Sequence, residues 1–134
     1  MRLSFIVIEN TEIDVYITLE LIRRVLGEVD VETFFAAEAA LDHIVSNKKP
    51  RADRQVILLD LMMPGMDGGD FLSLFEALPQ RTRANYQIVI ITSSMNKAYL
   101  ERLSKRRNVK MIIEKPLTRD KFTSLLAQIN VEVD

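Results

Sequence analysis

Cysteine is absent from the 134-residue chain, so neither a disulfide framework nor a thiolate metal site can form. Histidine occurs once, at His43, which removes clusters of several imidazoles and with them the usual zinc enzymes. No sign of charge dominates: 18 basic residues face 19 acidic ones, for a net charge of -1. Binding nucleic acid through bulk positive charge is therefore not expected. Long apolar runs are missing too. The opening MRLSFIVIEN has one basic residue and a short apolar stretch ended by Glu9, too short for a signal peptide. Nothing approaches a membrane span. These absences make the cytoplasm the expected location, with neither a membrane nor nucleic acid as a direct partner. There is also no internal repeat, low-complexity tract or Gly/Ser linker. The length fits one domain, and a 48% hydrophobic content supplies its core.

What is present is a regular alternation of short apolar runs with amphipathic stretches. Leu3 to Ile8, Val56 to Leu59, Ile88 to Ile91 and Val109 to Ile113 read as buried parallel strands, with a weaker one over Val31 to Phe35. The first helix is expected to open on Thr11 as hydroxyl cap, with Asp14 completing a capping box, and to stop at Gly27. A second carries Ala37, Ala40, Leu41, Ile44 and Val45, with Pro50 just beyond it. Phe71, Leu74, Phe75 and Leu78 mark a third, ahead of Pro79, and Phe122, Leu125, Leu126 and Ile129 mark the fifth. A fourth runs from about Met95 to Arg107. Strand and helix thus repeat five times. This predicts an α/β fold with a doubly wound five-stranded parallel sheet, flavodoxin-like, in strand order 2-1-3-4-5.

In such a sheet ligands bind beyond the C-terminal strand ends where the order reverses, here between the first and third strands. Glu9 and Asn10 follow the first strand and Asp60 ends the third. Thr92 with Ser93, and Lys115 with Pro116, stand at the ends of the fourth and fifth. Hard oxygen ligands suit magnesium, Lys115 suits a phosphate as a point charge, and Thr92 can donate to a phosphoryl oxygen. Asp60 is placed to act as a nucleophile that forms an acyl phosphate. In the loop after it, Pro64 and Gly65 favour a turn, while Gly68 and Gly69 permit close approach.

The segment ILLDLMMPGMDG around Asp60, with IITSS and EKPL further on, resembles the signature segments of response-regulator receiver domains, in the same order and over residues 2–130. The resemblance implies that Asp60 is the phosphoacceptor, Thr92 the switch hydroxyl and Lys115 the family's lysine, with a cis bond to Pro116. It further implies a Mg2+ site of Glu9, Asn10, Asp60 and the main-chain carbonyl of Met62. A stand-alone receiver of this kind takes its phosphoryl group from a histidine kinase or phosphotransfer protein. It has no output domain and signals through contacts with a further protein.

Two positions depart from the family pattern. Receivers usually carry two adjacent acids after the first strand, where this chain has Glu9 and then Asn10. The missing charge, at about 4 Å from an ion, is worth about 1 to 4 kcal/mol, so Mg2+ should bind weakly. Three residues before Lys115, where receivers often have Tyr or Phe as a switch, stands Ile112. These departures support an alternative, a phosphorylation-independent pseudo-receiver. A phosphohydrolase using Asp60 is disfavoured because Met62 occupies the place of its acid/base partner. A flavin protein is disfavoured because ENTEID lacks a phosphate cradle. Among the remaining residues, His43 reads as a half-buried helix residue and Met62, Met63 and Met66 as core cover. Lys97, Arg102, Lys105, Arg106 and Arg107 read as a solvated face or, more sharply, a docking patch for an acidic partner.

Overall fold

The apolar runs pair edge to edge, because β-rich segments separated by helices bury both faces only as a parallel sheet. The structure, a computed structural model, describes residues 2–47 and 54–129. Along the chain follow β1 (Leu3–Ile8), α1 (Glu12–Leu26), β2 (Asp30–Phe34), α2 (Ala37–Ser46), β3 (Arg54–Asp60) and α3 (Gly68–Glu76). After these come α4 (Gln80–Arg83), β4 (Tyr86–Thr92), α5 (Lys97–Ser104), β5 (Val109–Glu114) and α6 (Arg119–Gln128). All strand pairings are parallel, in the order β2-β1-β3-β4-β5. This is the flavodoxin-like arrangement expected from the alternation.

Strand periodicity divides the core in two. Ile6, Ile57, Leu59 and Ile90 face the side covered by α2, α3 and α5, where Ile44, Phe71, Phe75 and Leu103 are buried. Phe5, Val56, Leu58 and Val89 face the other side, against Ile22 of α1 and Phe122, Leu125 and Leu126 of α6. Each fully buried aliphatic or aromatic side chain contributes roughly 1.5 to 3 kcal/mol by leaving water. The two layers clamp β3 so that Val56 to Leu59 are almost inaccessible.

Several local expectations need correction. Thr11 occupies the N-cap of α1, yet its hydroxyl caps nothing; its own N–H donates to Glu9 Oε1 at 3.3 Å. Leu74 and Val45 point outward, since the helical stripes that meet the sheet are narrower than the run of apolar residues suggests. The fourth amphipathic stretch forms the shorter helix α5, opened by Asn96, whose side chain accepts from Tyr99 N–H at 3.1 Å. A sixth helix, α4, makes a single turn after Pro79 and buries no residue. Gly27 ends α1 as expected, at φ 77° with its N–H on Arg23 O. The expected stop at Pro50 lies outside the described residues. His43 packs its ring 5.3 Å from Phe34 and sets Nε2 3.2 Å from Glu32 Oε2, a structural role.

Candidate functional site

Register carries the site residues to one edge. Ile8 pairs with Leu59, Asp60 with Ile91 and Thr92 with Glu114, so the residues that follow these strands emerge side by side. The backbone continues the pairing slightly past the strands: Glu9 N–H donates to Phe34 O at 3.0 Å and Lys115 N–H to Thr92 O at 2.9 Å. Glu9, Asp60 and Thr92 are only 5%, 3% and 1% exposed. Burying two acids demands compensation. It comes from Lys115, whose Nζ lies 2.8 Å from Glu9 Oε2, 2.9 Å from Asp14 Oδ2 and 3.6 Å from Asp60 Oδ2. The Lys115–Pro116 bond is cis.

These groups shape one another's proton affinity. Burial pushes the Glu9 carboxyl up to about 7, against the opposing pull of Lys115 and with the help of nearby Asp60. Burial presses the Lys115 ammonium down, but the carboxylates of Glu9 and Asp14 outweigh it and raise the group above its ordinary value. Glu9, Asp14, Asp60 and Lys115, together with Leu58 and Ile91, line a cavity of about 20 Å3. That is room for about one water molecule.

Of the residues singled out from the sequence, Glu9, Asp60 and Lys115 are in direct contact or close to it, and Thr92 is buried beside them. Asn10 is exposed next to the cluster. Met62 turns its side chain to solvent, 60% exposed, while its N–H donates to Asp60 Oδ1 at 3.1 Å. Among the described residues, no group of three or more His, Cys, Asp or Glu is arranged to hold a metal ion; the three acids close on an ammonium instead. The donors that remain nevertheless suit magnesium in kind. Glu9 and Asp60 offer carboxylate oxygens, Asn10 an amide oxygen and Met62 a carbonyl. They fit the ion with one formal charge fewer than an acidic pair would supply.

Two features escaped the sequence. Asp14 joins the cluster rather than capping α1. It shares a helical stripe with Thr18 and Ile22, both buried, and an acid in register with a buried stripe was the available signal. The second feature is a ladder of hydrogen bonds leading away from Thr92. Thr92 Oγ1 accepts from Ser94 N–H at 3.0 Å, Ser94 Oγ from Asn96 N–H at 3.3 Å, and Asn96 Oδ1 from Tyr99 N–H at 3.1 Å. Tyr99 in turn lies over Gly69, where a Cβ would meet its Oη at 2.5 Å. Gly68 is the stricter requirement, since a Cβ there would come within 2.8 Å of Leu61 Cα, a backbone atom, whereas the Tyr99 side chain can shift. Ser94 is not singled out in the sequence, and Asn96 falls inside the fourth helix as expected there; only their spacing of two hints at successive turns.

Comparison with known proteins agrees with this architecture. A response regulator receiver protein from Dyadobacter fermentans is 26% identical, with a TM-score of 0.82 over 97% of this chain and 99% of that one. The phosphorylated cyanobacterial phytochrome response regulator RcpA superposes with a TM-score of 0.77 at 18% identity, covering 99% of each chain. The Mn2+-bound form of response regulator Rcp1 gives 0.72 at 20% identity, over 92% of this chain and 89% of that one. No curated protein matched the sequence. The model of the response regulator receiver domain matches residues 6–127, and by that match, on the fold just described, the chain belongs to the response regulator receiver family.

Proposed function

We propose that the protein is a phosphorylatable receiver in which Asp60 accepts a phosphoryl group from a phosphohistidine on a histidine kinase or phosphotransfer protein. One carboxylate oxygen of Asp60 attacks phosphorus, the P–N bond breaks, and the imidazole leaves with the electron pair and takes up a proton. The product is an acyl phosphate on Asp60. The observation that carries this reading is a buried carboxylate at the switch point of the sheet with a lysine ammonium 3.6 Å away. Lys115 neutralises charge on the transferred group, and Thr92 rotates its hydroxyl to donate to a phosphoryl oxygen. Glu9, Asn10, Asp60 and the Met62 carbonyl would hold Mg2+, weakly for want of a charge at position 10. Bound there, the ion would screen the phosphoryl oxygens during transfer. The altered surface then signals by protein contacts rather than by catalysis on a small substrate.

Incubation with acetyl phosphate and Mg2+, followed by intact mass, tests the proposal. One acyl phosphate adds about 80 Da, and Asp60→Asn should abolish the gain. One observation favours the pseudo-receiver instead. Lys115 is already paired with Glu9 and Asp14, so its charge is compensated without a phosphoryl group. No adduct across a wide magnesium range would select that reading.

A further inference from the structure

An ammonium has three N–H donors and no acceptor. On Lys115 two are matched by carboxylate oxygens at hydrogen-bond distance, Glu9 Oε2 at 2.8 Å and Asp14 Oδ2 at 2.9 Å. The third acid, Asp60, holds Oδ2 at 3.6 Å, beyond hydrogen-bond reach. One donor therefore remains uncommitted next to the acceptor carboxylate. A phosphoryl group added to Asp60 would extend new oxygens from that carboxylate, and the spare donor is what such an oxygen needs.

A lysine on a flexible four-carbon stem does not hold such a position unaided, since ordering it costs its many rotamers. Two tethers from different elements fix it: Glu9 from the end of β1 and Asp14 from the first turn of α1. Asp14 is well placed for this. It lies one turn before Thr18, which is buried, so the helix itself directs the carboxylate toward the sheet edge. We propose that Asp14 is a positioning residue that, with Glu9, anchors the Lys115 ammonium and leaves its third N–H for a phosphoryl oxygen on Asp60. The proposal rests on the receiver reading of Asp60. It also accounts for an acid that neither the cap of α1 nor the expected metal ligands use.

The test uses the full chain carrying Asp14→Asn, with Asp14→Glu as the conservative variant and thermal melts to verify folding. The first readout is the side-chain ammonium NMR signal of Lys115, assigned with Lys115→Ala. It is ordered in the parent protein, loses order in Asp14→Asn and recovers in Asp14→Glu. The second is phosphorylation by acetyl phosphate. Its maximal rate falls about tenfold in Asp14→Asn, the loss expected from one charge-assisted contact felt in the transition state. Half-saturating acetyl phosphate and Mg2+ stay unchanged, because Asp14 holds neither. A purely structural ion pair would lower the melting temperature and loosen the ammonium but leave the rate alone, and that result overturns the proposal. An unchanged ammonium signal overturns it as well, whatever the rate does. Failure of the parent protein to gain a phosphoryl group overturns the receiver reading instead and removes the phosphoryl half of this inference. The ammonium signal still decides the anchoring half.

Discussion

Glu9 and Asn10 show how two neighbouring residues tune one site in opposite ways. Glu9 is buried, and its proton affinity rises from an ordinary 4.5 to about 7. In that window the folded protein binds more protons than the unfolded chain. The contribution to stability is therefore complete below about pH 4.5 and is lost as pH rises through about 7. Each pH unit inside the window costs up to about a factor of ten in the folding constant. Urea midpoints measured from about pH 5 to pH 8 should decline from this residue, and Glu9→Gln should flatten the slope. Asn10 belongs to the proposed metal site. Asn10→Asp restores a unit charge and should tighten Mg2+ by at least about fivefold, the low end of the Coulombic estimate. A magnesium titration of the two proteins checks it, and equal affinities would mean that Glu9 already reaches the ion.

Among the elements, α5 is joined to the site by a ladder of side-chain hydrogen bonds. Ile112 is partly buried against the core below α2, α3 and α5, so no aromatic ring can turn inward at that point on β5. The ladder from Thr92 through Ser94 and Asn96 to Tyr99 offers another route, because a Thr92 hydroxyl that rotates toward Asp60 gives up its bond from Ser94 N–H. Asn96→Ala removes the N-cap at a cost of about 1 kcal/mol and cuts the ladder. Amide exchange over Lys97–Ser104 should quicken in that variant and no longer respond to a phosphoryl mimic such as beryllofluoride. An intact response would show that α5 is moved by other contacts. The elements themselves were largely legible in the sequence, because β-rich runs and helical stripes state their period directly. Ladder and tether were not: Asp14 looked like a partner for Thr11, and only the three-dimensional proximity of Lys115, 101 positions away, reveals its use. Likewise the exposure of Leu74 and Val45 depends on where a helix rolls against the sheet, which a run of apolar residues does not specify.

For the molecule as a whole, the basic residues near α5 are less free than the sequence suggests. Arg106 forks onto Glu76 of α3, with Nε 2.8 Å from Oε2, and Lys105 lies 3.7 Å from Glu101. Arg102 stands over the Tyr99 ring, 5.7 Å from its centre. A docking patch for an acidic partner would therefore draw mainly on Lys97 and Arg107, and alanine at those two should weaken such a complex more than alanine at Arg106 weakens it by charge alone. The clamped position of β3 has a mechanical consequence. Asp60 ends β3, an inner strand packed on both faces, whereas Lys115 follows β5, an outer strand on which Lys110 and Glu114 are exposed. Load applied where these two meet will not bend the anchor. Under the proposed phosphorylation of Asp60, it is expected to be taken up on the β5 and α5 side, so a partner would meet the changed shape there rather than at β3.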